Sequence, residues 1–389
     1  MADTNQPTTG MTKRGFLKTC AVGAGALCLG REAGGATTPT GPGPAQTAQR
    51  GLIGMAPSPW YSALDNDRIR CELCPRLCEL DEGRRGPCRV RGNRNGQCFT
   101  LVYGNPALVQ MDPIERKPFF HMLPGTRSLS VSTAGCNLSC MFCEVWDMAL
   151  VTPEDVHAYD LSPEDIIAQA REAGADSVSY AFGEPVVFIE YAMAIGALAK
   201  EAGLRSVVHT AGYIQPKPLD ALCELVDAAN IDLKGFDPDF YREVCGGELD
   251  PVLDTLKRLK KAGIHIELTN LIIPTLNDDM DDIRAMCAWI KDELGPGTPI
   301  HFSRFYPLYQ LANLPPTPVS TLDEARETAF EAGLEYVYIA NVTGHEGENT
   351  ACPACNESII KRLGFVVEEV HLSGGSCSHC GHEIPGIWA

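Results

Sequence analysis

The stretch TAGCNLSCMFCEVW, Thr133 to Trp146, places Cys136, Cys140 and Cys143 close together and supplies no fourth cysteine. Structural metal sites are usually closed by four protein ligands, so three thiolates leave a position for something else. The stretch follows SLSVST (128–133), a short β-rich run, and six similar runs come after it. They are SVSYAF (177–182), RSVVHT (205–210), NIDLK (230–234), HIELTNLII (265–273), IHFSRF (300–305) and YVYIAN (336–341). Their continuous apolar or β-branched character, without strict alternation, suits parallel strands buried on both faces.

Helical segments separate these runs. Ser162-Pro163-Glu164-Asp165 supplies an N-cap, a first-turn proline and two acids before IIAQAREAG, which stops at Gly174. PVLDTLKRLKKAG ends at Gly263 in the same way. Strand–helix alternation implies an α/β fold, a βα barrel or a doubly wound sheet, with ligands at the carboxyl ends of the strands. The three cysteines fall at such an end.

The 389 residues fit one barrel of roughly 200 to 250 residues with small appendages. A formal charge of −18 disfavours attachment to phosphate backbones and makes nucleic-acid binding unlikely. Most of the 17 cysteines sit in tight clusters, the pattern of thiolates on metals rather than of a disulfide framework. Beyond the first 50 residues no apolar run approaches the roughly 20 needed to span a bilayer. Within those 50, TKRGFLK (12–18) precedes the Gly/Ala stretch TCAVGAGALCLG and a Pro/Gly/Thr-rich run. This resembles a twin-arginine (Tat) export signal with Lys13 for the first arginine, followed by a flexible linker.

CxxxCxxC after a first strand, with Phe142 before the last cysteine, resembles the radical S-adenosylmethionine (radical SAM) superfamily. The resemblance implies a partial (β/α)6-type barrel in which Cys136, Cys140 and Cys143 hold a [4Fe-4S] cluster. SAM then chelates the open iron and is reductively cleaved to methionine and a 5'-deoxyadenosyl radical. AFGEP (181–185) resembles the GGE-type motif, with Phe182 replacing the first glycine, so that Gly183 and Glu184 would meet SAM. Asp232 and Lys234 resemble the Asp-x-Lys of glycyl-radical-enzyme activators, where the acid meets the SAM amino group and the lysine the ribose or carboxylate. Two residues apart on one strand, they share a face, which is the barrel interior if Leu233 turns to the helices.

From Cys71 onward, CELCPRLCELDEGRRGPCRVR, DPIERKPFFHMLPG, HFSRFYP, PPTPV and NVTGHEGENTACPAC resemble the radical SAM enzyme of the AmmeMemoRadiSam system, which is related to pyruvate formate-lyase activating enzymes. That resemblance implies activation or modification of a protein substrate, a low-potential electron donor, and partners bearing AMME-type and Memo-type domains. SAM and such a donor are cytoplasmic supplies, which points to the cytoplasm, while the Tat-like leader keeps export open.

Cys352, Cys355, Cys377 and Cys380 form CPAC and CSHC pairs that read as a zinc-ribbon knuckle, although rubredoxin-type iron accepts the same ligands. Cys71, Cys74, Cys78 and Cys88 offer four ligands to zinc or to an auxiliary iron–sulfur cluster, with Cys98 as a substitute fourth. Each flank is too small for a sizeable core, so metal would substitute for buried apolar area. The organisation expected is signal and linker at 1–50, Cys/Arg-rich region at 51–125, barrel at 126–344 and zinc-ribbon-like module at 345–389.

The eight arginines between Arg68 and Arg94, diluted by five acids from Asp67 to Glu82, read as a solvated face. His345 and Glu346 are equally open to catalysis or to a turn, and only one of His301 and Arg304 can point into the barrel. Cys223, Cys245 and Cys287 lack ligand spacing and read as buried small hydrophobes. Two rival functions are an iron–sulfur electron-transfer or scaffold protein that never cleaves SAM, and a zinc-dependent nucleic-acid binder, which the charge opposes.

Overall fold

Seven parallel strands and one antiparallel edge strand form a single sheet whose spatial order follows the chain. They are β1 (Leu108–Pro113), β2 (Arg127–Ser132), β3 (Ser177–Tyr180), β4 (Arg205–Thr210), β5 (Ala228–Asp232), β6 (His265–Ile272), β7 (Ile300–Arg304) and β8 (Val337–Ala340). β1 runs antiparallel to β2, and every later neighbour pair is parallel. The edges β1 and β8 do not pair, so the barrel is partial. This computed structural model describes residues 47–389; the Tat-like stretch lies outside the described residues.

Six helices cross between successive parallel strands: α1 (Pro163–Glu172), α2 (Ile189–Glu201), α3 (Pro216–Cys223), α4 (Asp250–Lys261), α5 (Met280–Leu294) and α6 (Val319–Glu331). The capping signals act as the sequence implies. Ser162 Oγ accepts from the Asp165 amide at 3.2 Å, and Asp165 accepts from the Ser162 amide at 2.9 Å, a reciprocal capping box. Gly174 and Gly263 both take the left-handed φ that ends a helix.

Register separates the two faces of the sheet. Tyr180 packs toward α2 near Gly196, so Ser177 and Ser179, with their partners Ser128 and Ser130, face inward. Continuing the pairing puts His209, Asn230, Asp232, Glu267, Thr269, His301 and Tyr338 on the same interior wall.

The other end is plugged by DPIERKPFFHMLPG. Ile114, Phe119 and Met122 pack on Val207 and Ala228, while buried Glu267 accepts from the Phe120 and His121 amides at 2.8–3.0 Å. His301 Nε2 lies 2.8 Å from the same carboxylate. His301 is therefore the inward member of its pair, in the floor, and Arg304 turns out to donate to the Thr317 carbonyl.

His121 fits a neutral imidazole, with Nδ1 2.6 Å from the Pro385 carbonyl and Nε2 2.6 Å from the Tyr338 hydroxyl. Burial drives its pKa from 6.5 down to about 3. The unfolded chain therefore takes this proton first, and stability is lost as pH falls below the unfolded value. Against His121→Gln, the wild type should lose an extra ~1.4 kcal/mol of unfolding free energy per pH unit from about pH 6 to 5. Parallel stability curves from denaturant titrations across that window would contradict a neutral buried His121.

Two boundaries shift from the sequence expectation, and so does the reading of the arginines. β1 lies inside the 51–125 region yet belongs to the barrel sheet, because its backbone pairs along the full length of β2. Gln49–Arg50 pairs with His157–Ala158, so the last linker residues join the fold. The arginines are not simply a solvated face: Arg91 is buried against Glu190, and Arg76 donates to backbone carbonyls of the barrel loops. A segment poor in apolar side chains uses guanidinium groups to dock. The tail, with strands Thr350–Ala351, Ser358–Leu363 and Val366–Val370, packs on the floor through Arg362, whose guanidinium sits 4.1 Å from the Phe120 ring centre and donates to the Phe120 carbonyl.

Candidate active site at the barrel mouth

Cys136, Cys140 and Cys143 occupy the loop that leaves the carboxyl end of β2. Backbone bonds hold this loop: the Ser139 and Met141 amides donate to the Cys245 and Val244 carbonyls at 2.9 Å, and Asn137 Nδ2 donates to the Tyr213 carbonyl at 2.7 Å. The acceptors at 244 and 245 belong to a π-turn, Tyr241–Cys245, a wide-turn geometry often met at functional sites. Cys245 is buried, as a small hydrophobe would be, but its thiol also contacts Cys140. Cys140 itself is 8% exposed, and Cys136 and Cys143 are half-buried.

The Asp-x-Lys pair arrives beside the loop from the opposite wall. Asp232 Oδ2 lies 2.9 Å from Lys234 Nζ, Asp232 Oδ1 lies 2.8 Å from His209 Nε2, and Leu233 turns fully away from solvent. Lys234 Nζ stands 5.6 Å from the Phe142 ring centre, close enough for a cation–π contact. Burial by itself would raise the Asp232 pKa, but Lys234 and His209 overcome it and hold the carboxyl well below the usual range. Burial likewise opposes charge on Lys234, and Asp232 together with the nearby thiols holds its pKa well above the ordinary value. At neutral pH the two groups are charged and form an ion pair.

His209 and Glu144 are the residues that sequence reading passed over. His209 is the fifth residue of β4, and strand parity alone puts it on the inner wall once the register is known. Glu144 directly follows Cys143; although its side chain reaches solvent, crowding by the surrounding protein and then the Asp232 charge raise its pKa. A carboxylate, a cation and an imidazole thus gather beside three thiols.

Gly183 and Glu184 lie at the end of β3. A Cβ on Gly183 would come 2.3 Å from Ser132 Oγ, so any side chain there would force the serine hydroxyl to move. Phe182 adopts φ 69, the conformation the missing glycine of the motif would supply, and Arg116 and Lys117 lie 5.3 Å and 5.7 Å from its ring centre. Glu184 is 4% exposed and accepts from Thr210 Oγ1 at 2.5 Å and from the Ala211 and Val186 amides at 2.9 and 3.0 Å. It ties β3 to the end of β4 and acts as a positioning residue. His345 caps a turn, with Nδ1 accepting from the Gly347 amide at 2.9 Å and Nε2 facing Asp323 at 3.0 Å, and Glu346 is exposed. Both face α6, away from the thiols.

The C-terminal cysteines form a second centre. Cys352 and Cys380 sulfurs lie 3.6 Å apart, and those of Cys355 and Cys377 3.8 Å apart, with all four ligand atoms within 4.8 Å of one another. Thiolates about 2.3 Å from one tetrahedral ion would have this spacing, so the donor set fits a single metal. Cys377→Ser should release that metal and lower the midpoint of thermal unfolding, while the folded remainder keeps its barrel chemistry. Unchanged metal content and midpoint in that variant would contradict a structural role.

Residues 130–290 match the Radical SAM superfamily, and with the fold this defines the barrel as a radical SAM domain related to the pyruvate formate-lyase activating enzymes. The chain belongs to the family of Uncharacterized protein MJ0808 of Methanocaldococcus jannaschii, being 43% identical to it over 332 residues, 85% of this chain and 99% of that one. A pyruvate formate-lyase-activating enzyme of Clostridium pasteurianum is 26% identical over 178 residues, 43% of this chain and 71% of the relative. Among solved structures, a domain of such an enzyme from Bacteroides vulgatus aligns over 43% of this chain and 100% of its own, at TM-score 0.39 and 16% identity. No helix among the described residues is long and apolar enough to cross a membrane.

Proposed function

We propose that the protein cleaves SAM reductively at a [4Fe-4S] cluster held by Cys136, Cys140 and Cys143, and uses the resulting radical to activate or modify a protein. The observation that carries this reading is the meeting of a three-thiol loop with the Asp232–Lys234–His209 group at the mouth of one barrel. The donor set suits the group: three thiolates ligate three irons and leave the fourth open. Bound there, cluster and SAM would supply an electron to the sulfonium, methionine, and a 5'-deoxyadenosyl radical able to take hydrogen from a substrate.

The chain's own residues do the positioning. Asp232 offers a carboxylate to the SAM ammonium, and Lys234 a cation to its carboxylate or a donor to the ribose. Gly183 leaves backbone accessible where a side chain would fill the space, and Glu184 fixes that backbone through β4. Phe142 covers the loop from the Lys234 side and helps keep water out.

A polypeptide substrate is supported by the rim. Trp146 is 41% exposed and stacks on Tyr309 at 5.3 Å, and exposed Tyr306 and Leu308 adjoin it on the loop after β7. The Gln310 amide donates to the Met141 carbonyl at 3.1 Å, so this apolar rim borders the thiol loop itself. The activating-enzyme relatives point the same way, and imply a low-potential electron donor. The finer placement in the AmmeMemoRadiSam group, with AMME-type and Memo-type partners, rests on sequence motifs, and a zinc ion in the C-terminal set on its cysteine spacing. The test is anaerobic reconstitution, reduction with dithionite and assay for 5'-deoxyadenosine and methionine. Formation of both is expected, and SAM recovered intact would reject the reading.

A further inference from the structure

The cysteines of the N-terminal region converge on a cavity that a single ion does not explain. Cys71, Cys74, Cys78 and Cys88 line one small pocket, whose other walls include Leu73 and Val187. A lone tetrahedral ion would draw four sulfurs to about 3.8 Å of one another, given arms near 2.3 Å. Among the described residues only the C-terminal set brings three or more such ligand atoms within 4.8 Å. The N-terminal thiols are therefore spaced more widely than one tetrahedral ion would hold them.

We propose that this cavity holds an auxiliary [4Fe-4S] cluster ligated by Cys71, Cys74, Cys78 and Cys88, which relays electrons to the barrel cluster. Four thiolates ligate every corner iron, so the site carries charge and does not bind SAM. Cys98 is not among the residues that line this cavity, so the four lining thiols are the ligand set proposed. Gly86 leaves the approach between Cys78 and Cys88 open, since a Cβ there would lie 3.7 and 3.9 Å from their sulfurs.

Two guanidinium groups at the wall suit a polyanionic cluster. Arg91 is 1% exposed and is held by Glu190 at 2.5 Å, yet its Nε is buried with no hydrogen-bond partner, a donor left over for a thiolate or sulfide. Arg76, between Cys74 and Cys78, donates Nε to the Asn137 carbonyl at 2.6 Å and a second nitrogen to the Gly246 carbonyl.

Asn137 also lines the cavity, and it directly follows Cys136. The wall of one site is thus the loop of the other. On the outer side, Cys78 and Arg76 also border an open groove of ≈ 800 Å³ that includes Tyr213 and Arg242. The electron comes from the low-potential donor that the proposed function requires. One electron reduces the auxiliary cluster from the 2+ to the 1+ state; it then passes to the barrel cluster, and the auxiliary cluster returns to 2+. The relay rests on the function proposed above, whereas the ligation does not.

The test uses the full chain with Cys136, Cys140 and Cys143 all replaced by serine. After anaerobic reconstitution it should retain about four iron and four acid-labile sulfide, against about eight of each in the wild type, as two cubanes require. Reduced, it should show an electron paramagnetic resonance signal that SAM leaves unchanged. Adding Cys88→Ala should remove this iron and sulfide, and adding Cys98→Ala should retain them. A triple variant without labile sulfide, or with a second zinc, overturns the cluster. For the relay, the fully reduced wild type should show spin–spin broadening that the triple variant lacks, and an unbroadened sum of two signals overturns it. If the triple variant keeps its cluster while wild-type protein leaves SAM intact, the function falls and the auxiliary ligation stands.

Discussion

Cys140→Ala should abolish 5'-deoxyadenosine formation, taking the yield below detection. Cys140 is 8% exposed, in contact with the Cys245 thiol, and faces the Asp232–Lys234 group. Two thiolates would have to hold a cubane that three already leave open at one corner. The loop itself should keep its path, because its anchors are the amides of Ser139 and Met141 and the side chain of Asn137. Iron analysis beside product analysis checks the cause: about four iron should be lost and the C-terminal metal retained. A variant that makes product at the wild-type rate would remove Cys140 from the chemistry.

Asp232→Ala and Lys234→Ala should each weaken SAM binding by about 10- to 150-fold, the equivalent of losing a charge-assisted hydrogen bond of roughly 1.5 to 3 kcal/mol. Asp232→Ala should have the larger effect. It deprives Lys234 and His209 of their shared partner and leaves an uncompensated cation against Phe142. Because Asp232 is held well below the usual carboxylate range, lowering the pH from 8 to about 6 should not reproduce the Asp232 variant's loss. Equilibrium binding to the reconstituted, unreduced protein measures this without turnover. Iron content should be unchanged in both variants, and unaltered affinity in both would make the Asp-x-Lys match coincidental.

Much of the sheet was legible because strands buried on both faces are written as unbroken β-branched and apolar runs. All seven parallel strands fall on such runs, and the helix ends fall on Ser162, Gly174 and Gly263. β1 was not legible: LVQMDP is mostly half-buried on an antiparallel edge and shows neither a buried run nor alternation, and its pairing with β2 is set across the floor segment rather than by local pattern. The facing of Asp232 and Lys234 followed from parity alone, since Leu233 had only one other side to occupy. His209 and Glu144 required the register between strands and the path of a loop, neither of which a single sequence prints. Glu184 shows the limit of a motif: its position could be read, but its three hydrogen bonds to the β3 and β4 ends make it a brace for the site. The same holds for Arg91, an ordinary arginine in a basic stretch until its burial against Glu190 is seen.

The most direct measurement of the central claim is the electron paramagnetic resonance spectrum of the reduced Cys71→Ser/Cys74→Ser/Cys78→Ser/Cys88→Ser variant, in which the barrel thiols are the remaining cluster ligands proposed here. Adding SAM should change the g-values of its signal, because an iron with three protein thiolates has an open position for the SAM amino and carboxylate groups. A signal whose g-values stay the same with saturating SAM would mean that this cluster never meets SAM, and the barrel would then be an electron carrier.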